Sequence, residues 1–116
     1  RDMDVKIEKE VTDLKLDIDT AVSLGLILNE AVTNSMKHAF AESTDALIKV
    51  RLQQENDQII LEVADNGSGF DRSDRKSQSF GMTMMEAFTE SLEGDFEIDS
   101  TQGTRLQFRF KSQVAA

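Results

Sequence analysis

The sequence predicts a two-layer α/β (α+β) sandwich, a mixed, mostly antiparallel sheet of about five strands with two or three helices packed on one face. Three observations lead there. Apolar residues recur with period two in several short segments and with helical period in two longer ones. The strand-like segments come in consecutive pairs joined by turn-forming residues, which a doubly wound parallel sheet would not show. The 116 residues, 39% hydrophobic and 30% charged, suit one domain spanning 1–116 with a single core.

Each element has its own signal. Val5, Ile7, Val11, Leu14, Leu16 and Ile18 are spaced as two short strands, roughly 3–9 and 14–17. Residues 17–40 (DIDTAVSLGLILNEAVTNSMKHAF) read as a long helix with Asp19 or Thr20 as N-cap. Residues 46–53 (ALIKVRLQ) and 58–65 (QIILEVAD) alternate as strands, and Glu55, Asn56 and Asp57 suit the turn between them. Residues 66–81 are polar with three glycines, hence a loop. A second helix follows over 82–93, stopped by Gly94, in a chain without proline. DFEIDS and TRLQFRF close the chain as strands joined at Gln102 and Gly103. The expected core sets Leu24, Leu28 and Val32 against Ile48, Val50, Leu61, Val63, Ile98, Leu106 and Phe108, with Lys49, Arg51, Glu62, Arg105 and Arg109 on the outer sheet face.

Composition removes several classes of chemistry. The absence of Cys excludes disulfide scaffolds, cysteine nucleophiles and thiolate metal sites, and a single His, His38, excludes multi-histidine centres. A net charge of −9, from 13 basic and 22 acidic residues, argues against nucleic acid as a partner. No apolar run approaches the roughly 18 residues of a membrane span. The opening residues carry no signal-peptide pattern, so direct membrane contact is not expected. An anionic ligand would need a locally prepared site, with a cation.

Two regions have the residue types for such a site. On a helical wheel Ala21, Leu24, Leu28, Ala31, Val32, Ser35 and Ala39 share the side expected to bury, while Glu30, Asn34, Lys37 and His38 share the opposite side. That polar stripe is either a solvated face or a ligand site. It holds an acid, an amide, an ammonium and an imidazole within about two turns rather than repeated Glu/Lys pairs. An amide oxygen there suits Mg²⁺. Farther on, Asp65 ends an apolar strand and runs into Asn66, Gly67, Ser68 and Gly69, which is either a plain turn or a place where backbone approaches a ligand. Arg72, Arg75 and Lys76 form a cation cluster beside this loop, and Ser79, Gly81 and Met82 lead into the second helix, whose free amides favour anions.

Four segments then occur in order: LNEAVTNSMKHAF (28–40), ADNGSGF (64–70), SFGM (79–82) and QGT (102–104). Together they resemble the N box and three glycine boxes of the nucleotide-binding domain of sensor histidine kinases, within the Bergerat-fold (GHKL) ATPase superfamily of gyrase, Hsp90 and MutL. The resemblance extends over about residues 5–111 and is closest in kind to the compact-lid subgroup. It implies that Asn34 holds Mg²⁺ bridging the phosphates of ATP and that Glu30 polarises the nucleophile. It places Lys37 at the phosphates and His38 beside the nucleotide. Asp65 would accept the adenine amino group, with Gly67 and Gly69 admitting the base and Thr104 supporting it through water. Gly81 and Met82 would give backbone near the phosphates. Residues 70–80 would be the ATP lid, from which Arg72, Arg75 or Lys76 reach the γ-phosphate. Ser79 stands where the second glycine box has its first glycine.

The function so implied is the ATP-binding catalytic domain of a two-component sensor histidine kinase. It would present Mg-ATP to a histidine on a separate dimerisation domain and so feed a response regulator. The expected location is cytoplasmic, with a parent kinase that is membrane-anchored or not. The acceptor hairpin is not in the sequence, and His38 lies inside the N box, so the chain alone is expected to bind ATP and turn it over slowly. Two alternatives are an anti-sigma-factor-type serine kinase of the same fold and a degenerate domain that binds nucleotide or partner without transfer.

Overall fold

The computed structural model describes residues 5–36, 46–67, 80–100 and 103–112. Its elements are β1 (Val5–Val11), α1 (Ile18–Asn34), β2 (Ala46–Glu55), β3 (Gln58–Asp65), α2 (Phe80–Ser91), β4 (Asp95–Asp99) and β5 (Thr104–Lys111). The five strands form one sheet in the order β1-β2-β3-β5-β4. Only β1 and β2 run parallel, joined through α1, and the other neighbours are antiparallel. This is the mixed two-layer arrangement the strand pairs predict. No helix among the described residues is long and apolar enough to cross a membrane.

Register explains the two faces of the sheet. Val50 lies opposite Val63, which lies opposite Leu106, and Leu61 lies opposite Phe108. These side chains, with Ile48, Ile59 and Phe110, are buried on the helix side. Phe96 of β4 stacks on its cross-strand partner Phe108, ring centroids 5.4 Å apart, and so ties the edge strand to the core. The outer face alternates out of phase with this core and carries Lys49, Arg51, Glu62, Arg105 and Arg109. There Gln107 Nε2 donates to Glu62 Oε2 at 3.0 Å, and Arg109 donates to Gln107 Oε1 at 2.9 Å.

Several local expectations are corrected. Residues 14–17 are not a strand. Thr12 N–H and Oγ1 both donate to the Leu52 carbonyl, ending the pairing with β2, and Leu14 and Leu16 pack against the core without a ladder partner. The N-cap of α1 is Asp17, not Asp19 or Thr20. Its carboxylate accepts the Thr20 N–H and hydroxyl, while Ile18, one residue on, is already helical. The buried line of α1 is Thr20, Leu24, Ile27, Ala31 and Ser35, whereas Ala21 is exposed and Leu28 and Val32 are half-buried. The apolar run 26–28 gives no unique phase, and the phase is set by where α1 lies, against α2 and over β3.

The exit from α2 also differs. The left-handed residue is Glu93, with φ 55°, and Gly94 N–H closes the end on the Thr89 carbonyl. Gly94 is needed for another reason: a Cβ there would sit 2.4 Å from the Arg109 carbonyl oxygen and 2.9 Å from Phe110 Cβ. The β2–β3 turn is Asn56-Asp57, with Asn56 left-handed at φ 58°.

Gly103, with φ 75°, would place a Cβ 2.1 Å from the Asp65 carbonyl oxygen, so Gly103→Ala combines backbone strain with a clash. It is expected to cost about 2 kcal/mol or more in urea unfolding, and a midpoint equal to wild type would disprove the packing. Hydrogen bonds from Thr20 lower the Asp17 pKa below its ordinary 3.8. A lowered folded-state pKa stabilises the fold above the unfolded value, and that contribution is lost as pH falls through the folded one. Asp17→Ala is therefore expected to be less stable than wild type at neutral pH, with the gap closing below about pH 3.8. A gap that is constant with pH would rule out the charged cap.

Candidate functional site

Where the end of β3 meets the start of β5, one side chain gathers three hydrogen bonds. Asp65 is paired with Ile48 on one side and Thr104 on the other, so its side chain falls on the helix face among apolar neighbours. It is 8% exposed. A carboxylate so placed must be matched by donors. Oδ1 accepts the backbone N–H groups of Gly67 and Thr104, both at 3.0 Å, and Oδ2 accepts the Ser35 hydroxyl at 2.7 Å. One side chain thereby holds the end of α1, the turn after β3 and the start of β5.

The sequence fits each contact locally. Gly103 lets β5 begin directly against the Asp65 backbone, which brings the Thr104 amide to the carboxylate. Asn66 prolongs the β2–β3 ladder, since its N–H donates to the Leu47 carbonyl at 3.2 Å and its Oδ1 accepts the Leu47 N–H at 2.9 Å. Thr104 is 4% exposed, yet its Oγ1 has no hydrogen-bond partner among the described residues. A buried hydroxyl left this way is rare.

Glu30 and Asn34 lie one turn apart near the C-terminal end of α1, both half-buried. Their side chains make no hydrogen bond or ion pair among the described residues. A carboxylate and an amide oxygen so presented have the chemistry to act as oxygen ligands or proton acceptors. Ser35 follows Asn34 directly, so the carboxylate network and this pair share one turn of helix.

The structure thus joins Asp65, Gly67 and Thr104, and places Glu30 and Asn34 on the helix that also reaches Asp65. Met82 is 7% exposed and belongs to the core at the start of α2, and Gly81 lies in that helix's first turn. Lys37, His38, Gly69, Arg72, Arg75, Lys76 and Ser79 lie outside the described residues, as does the predicted lid except Phe80. A cavity of about 520 Å³ at the same strand ends is lined by Leu47, Lys49, Ala64, Asp65, Asn66, Gly67 and Gly103. Lys49 and Ala64 turn away from the helices, so this hollow differs from the space expected between the first helix and the lid. Sequence reasoning missed Ser35, which it read only as a buried position. The available signal was that a hydroxyl on a buried helical stripe needs a partner.

Residues 19–114 match the family described as histidine kinase-, DNA gyrase B- and HSP90-like ATPase. The chain belongs to this family. It is 37% identical over 97 residues to the signal transduction histidine-protein kinase/phosphatase DegS of Bacillus subtilis, covering 81% of this chain and 24% of DegS. It is 31% identical over 112 residues to the anti-sigma F factor of Clostridium beijerinckii, covering 86% of this chain and 73% of that protein. Among solved structures, the histidine kinase domain of the Erythrobacter litoralis EL346 blue-light activated histidine kinase superimposes with a TM-score of 0.86 at 19% identity, over 93% of this chain and 52% of that one. The chain thus spans about a quarter of the kinase relative and nearly three quarters of the anti-sigma relative.

Asp65→Asn tests the network. The amide oxygen can keep the two backbone donors, and the amide nitrogen can donate to a reversed Ser35 hydroxyl, so the fold should lose only about 1 kcal/mol. Asp65→Ala strands three donors and should lose about 3 kcal/mol. Equal urea midpoints for the two variants would contradict the network.

Proposed function

We propose that the chain, as a single domain over its residues 1–116, is the ATP-binding catalytic domain of a longer two-component sensor histidine kinase, with residues 70–80 as the ATP lid. The observation that carries this reading is the buried Asp65 cluster with its unpartnered Thr104 hydroxyl. It offers a fixed acceptor and a free donor side by side, the pattern an adenine edge complements. Asp65 would take the exocyclic amine, Thr104 would support the ring, and Gly67 and Gly69 would admit the base.

Asn34 would hold Mg²⁺. Its amide oxygen is a suitable hard ligand, and its side chain is not engaged elsewhere among the described residues. When bound, Mg-ATP supplies the phosphoryl group and the cation that offsets charge in an acidic domain. The protein's part is positioning. Glu30 would polarise the incoming nucleophile and accept its proton, a role consistent with a carboxylate that has no ion-pair partner among the described residues. On this reading Lys37, Arg72, Arg75 and Lys76 would neutralise phosphate charge, His38 would serve beside the nucleotide, and Ser79, Gly81 and Met82 would supply backbone to the phosphates. The acceptor is a histidine on a dimerisation domain, in the same parent chain or in trans, and a response regulator takes the phosphoryl group onward. The domain works in the cytoplasm.

A second reading is favoured by the anti-sigma F factor likeness over nearly three quarters of that protein's length. The same site would then present ATP to a serine of a partner protein. The two readings share the nucleotide site and differ in acceptor, so phosphorylation of a histidine-bearing helical hairpin against a serine-bearing partner separates them.

Calorimetric titration with ATP and Mg²⁺ tests what they share. Wild type is expected to bind and Asp65→Asn to lose at least about tenfold in affinity. Asn34→Ala should lower only the Mg²⁺-dependent part. Equal ATP binding with and without Mg²⁺ in both Asn34→Ala and wild type would remove Asn34 as metal ligand, and no binding by wild type would sink the nucleotide site.

A further inference from the structure

β1 ends the sheet on one side, and its outward edge has no strand beside it among the described residues. α1 lies against α2 and over β3, and on the helix face of β1 both Ile7 and Val11 are exposed. One hydrogen bond shows which backbone groups are free. Thr12 N–H donates to the Leu52 carbonyl. In a parallel pair the N–H and C=O of one residue point to the same side, and the side alternates along the strand. Lys6, Glu8 and Glu10 therefore bond to β2, while Val5, Ile7, Lys9 and Val11 turn their N–H and C=O groups outward.

Free edges are commonly guarded by charge, above all by lysine. Here the guard is balanced. The strand reads VKIEKEV, and its two lysines and two glutamates form no ion pair among the described residues. Register with β2 puts Lys6, Glu8 and Glu10 on the outer sheet face, and Val5, Ile7, Lys9 and Val11 on the helix face. A second copy that continues the sheet antiparallel, with its helices on the same side, must set like faces opposite each other. The two-fold axis then passes through one residue position. An axis through Lys9 opposes Glu8 to Glu10 twice. An axis through Ile7 leaves Glu10 and Val11 without partners among the described residues. An axis through Glu8 uses the whole strand: Lys6 meets Glu10 twice, Val5 meets Val11 twice, and Ile7 meets the stem of Lys9. The one like pair, Glu8 with Glu8, lies beside Lys49, its register neighbour on β2 in each copy.

We infer that β1 is a self-pairing edge: two copies of this chain join antiparallel along Val5–Val11, about an axis at Glu8, and merge their five-stranded sheets into one. The occupant is a second copy because the charge pattern of the strand complements its own reverse. The pairing is separate from the Asp65 cluster and stands whether or not the chain binds nucleotide. An edge of seven residues makes a small interface, so the dimer exchanges with monomer.

Sedimentation velocity of the full chain at rising concentration tests this. Wild type is expected to pass from monomer to dimer below about 0.5 mM. Lys6→Glu and Glu10→Lys each create two like-charge pairs and should each weaken dimerisation about tenfold. The double variant restores both pairs with signs exchanged and should return to within about threefold of wild type. Glu8→Gln removes the one repulsion and should tighten the dimer. Lys6 and Glu10 are exposed, so their variants should keep the wild-type urea midpoint. In amide exchange the outward N–H groups of Val5, Ile7, Lys9 and Val11 should gain protection as the dimer forms. A chain that stays monomeric at about 0.5 mM overturns the inference. So do single variants that dimerise like wild type, or a double variant no better than the single ones.

Discussion

The described fold converges on one buried carboxylate. Asp65 is the last residue of a central strand, and burying it is costly unless its oxygens are matched by donors. The match comes from three places far apart in sequence: the end of α1, the turn after β3 and the first residue of β5. Much else follows from that requirement. Gly103 must lack a side chain so that β5 can begin there, and Asn66 must take over the ladder with β2 so that the chain can turn away. The same bonds that stabilise the sheet leave one lone pair of Asp65 Oδ2 without a partner among the described residues. A substitution at Asp65 therefore acts on three segments of the fold at once.

This explains why the acidic character of the chain does not conflict with an anionic ligand. The negative charge is spread over a surface that is −9 overall. The end of the site assigned to the base is neutral in its demands, needing one amine and one acceptor. At the end of α1, Glu30 and Asn34 stand a turn apart. A cation there reconciles a carboxylate with phosphates, whereas a carboxylate without one would repel them.

Much of the fold was legible in the sequence because its signals are local. Alternation in β2, β3 and β5, and the turn residues at Asn56 and Gly103, suffice to find a sheet built from hairpins. What was not legible depends on neighbours. Leu14 and Leu16 alternate like a strand but have no strand beside them. The run Leu26-Ile27-Leu28 is apolar on every side, so the buried face of α1 is chosen by α2 and β3 rather than by the helix itself. Gly94 looked like a helix stop, but its constraint comes from the backbone at Arg109. In the site, Asp65, Gly67 and Thr104 stood out as a pattern of types, while Ser35 did not, because the partner that gives its hydroxyl meaning is thirty residues away.

The one parallel pairing in the sheet has a kinetic corollary. Hairpin neighbours such as β2–β3 meet across two residues, whereas β1 reaches β2 only after α1 has formed and crossed over. Its contacts are the more distant in sequence, and it closes an edge on which Ile7 and Val11 remain 48% and 59% exposed. Such a strand is expected to join late and to open first. Amide exchange would then run fastest along Val5–Val11 and slowest along β3, giving the sheet a soft border on one side of a rigid centre. Because residues 12–17 join β1 to α1, loosening of that border would reach the start of the helix before the centre of the sheet.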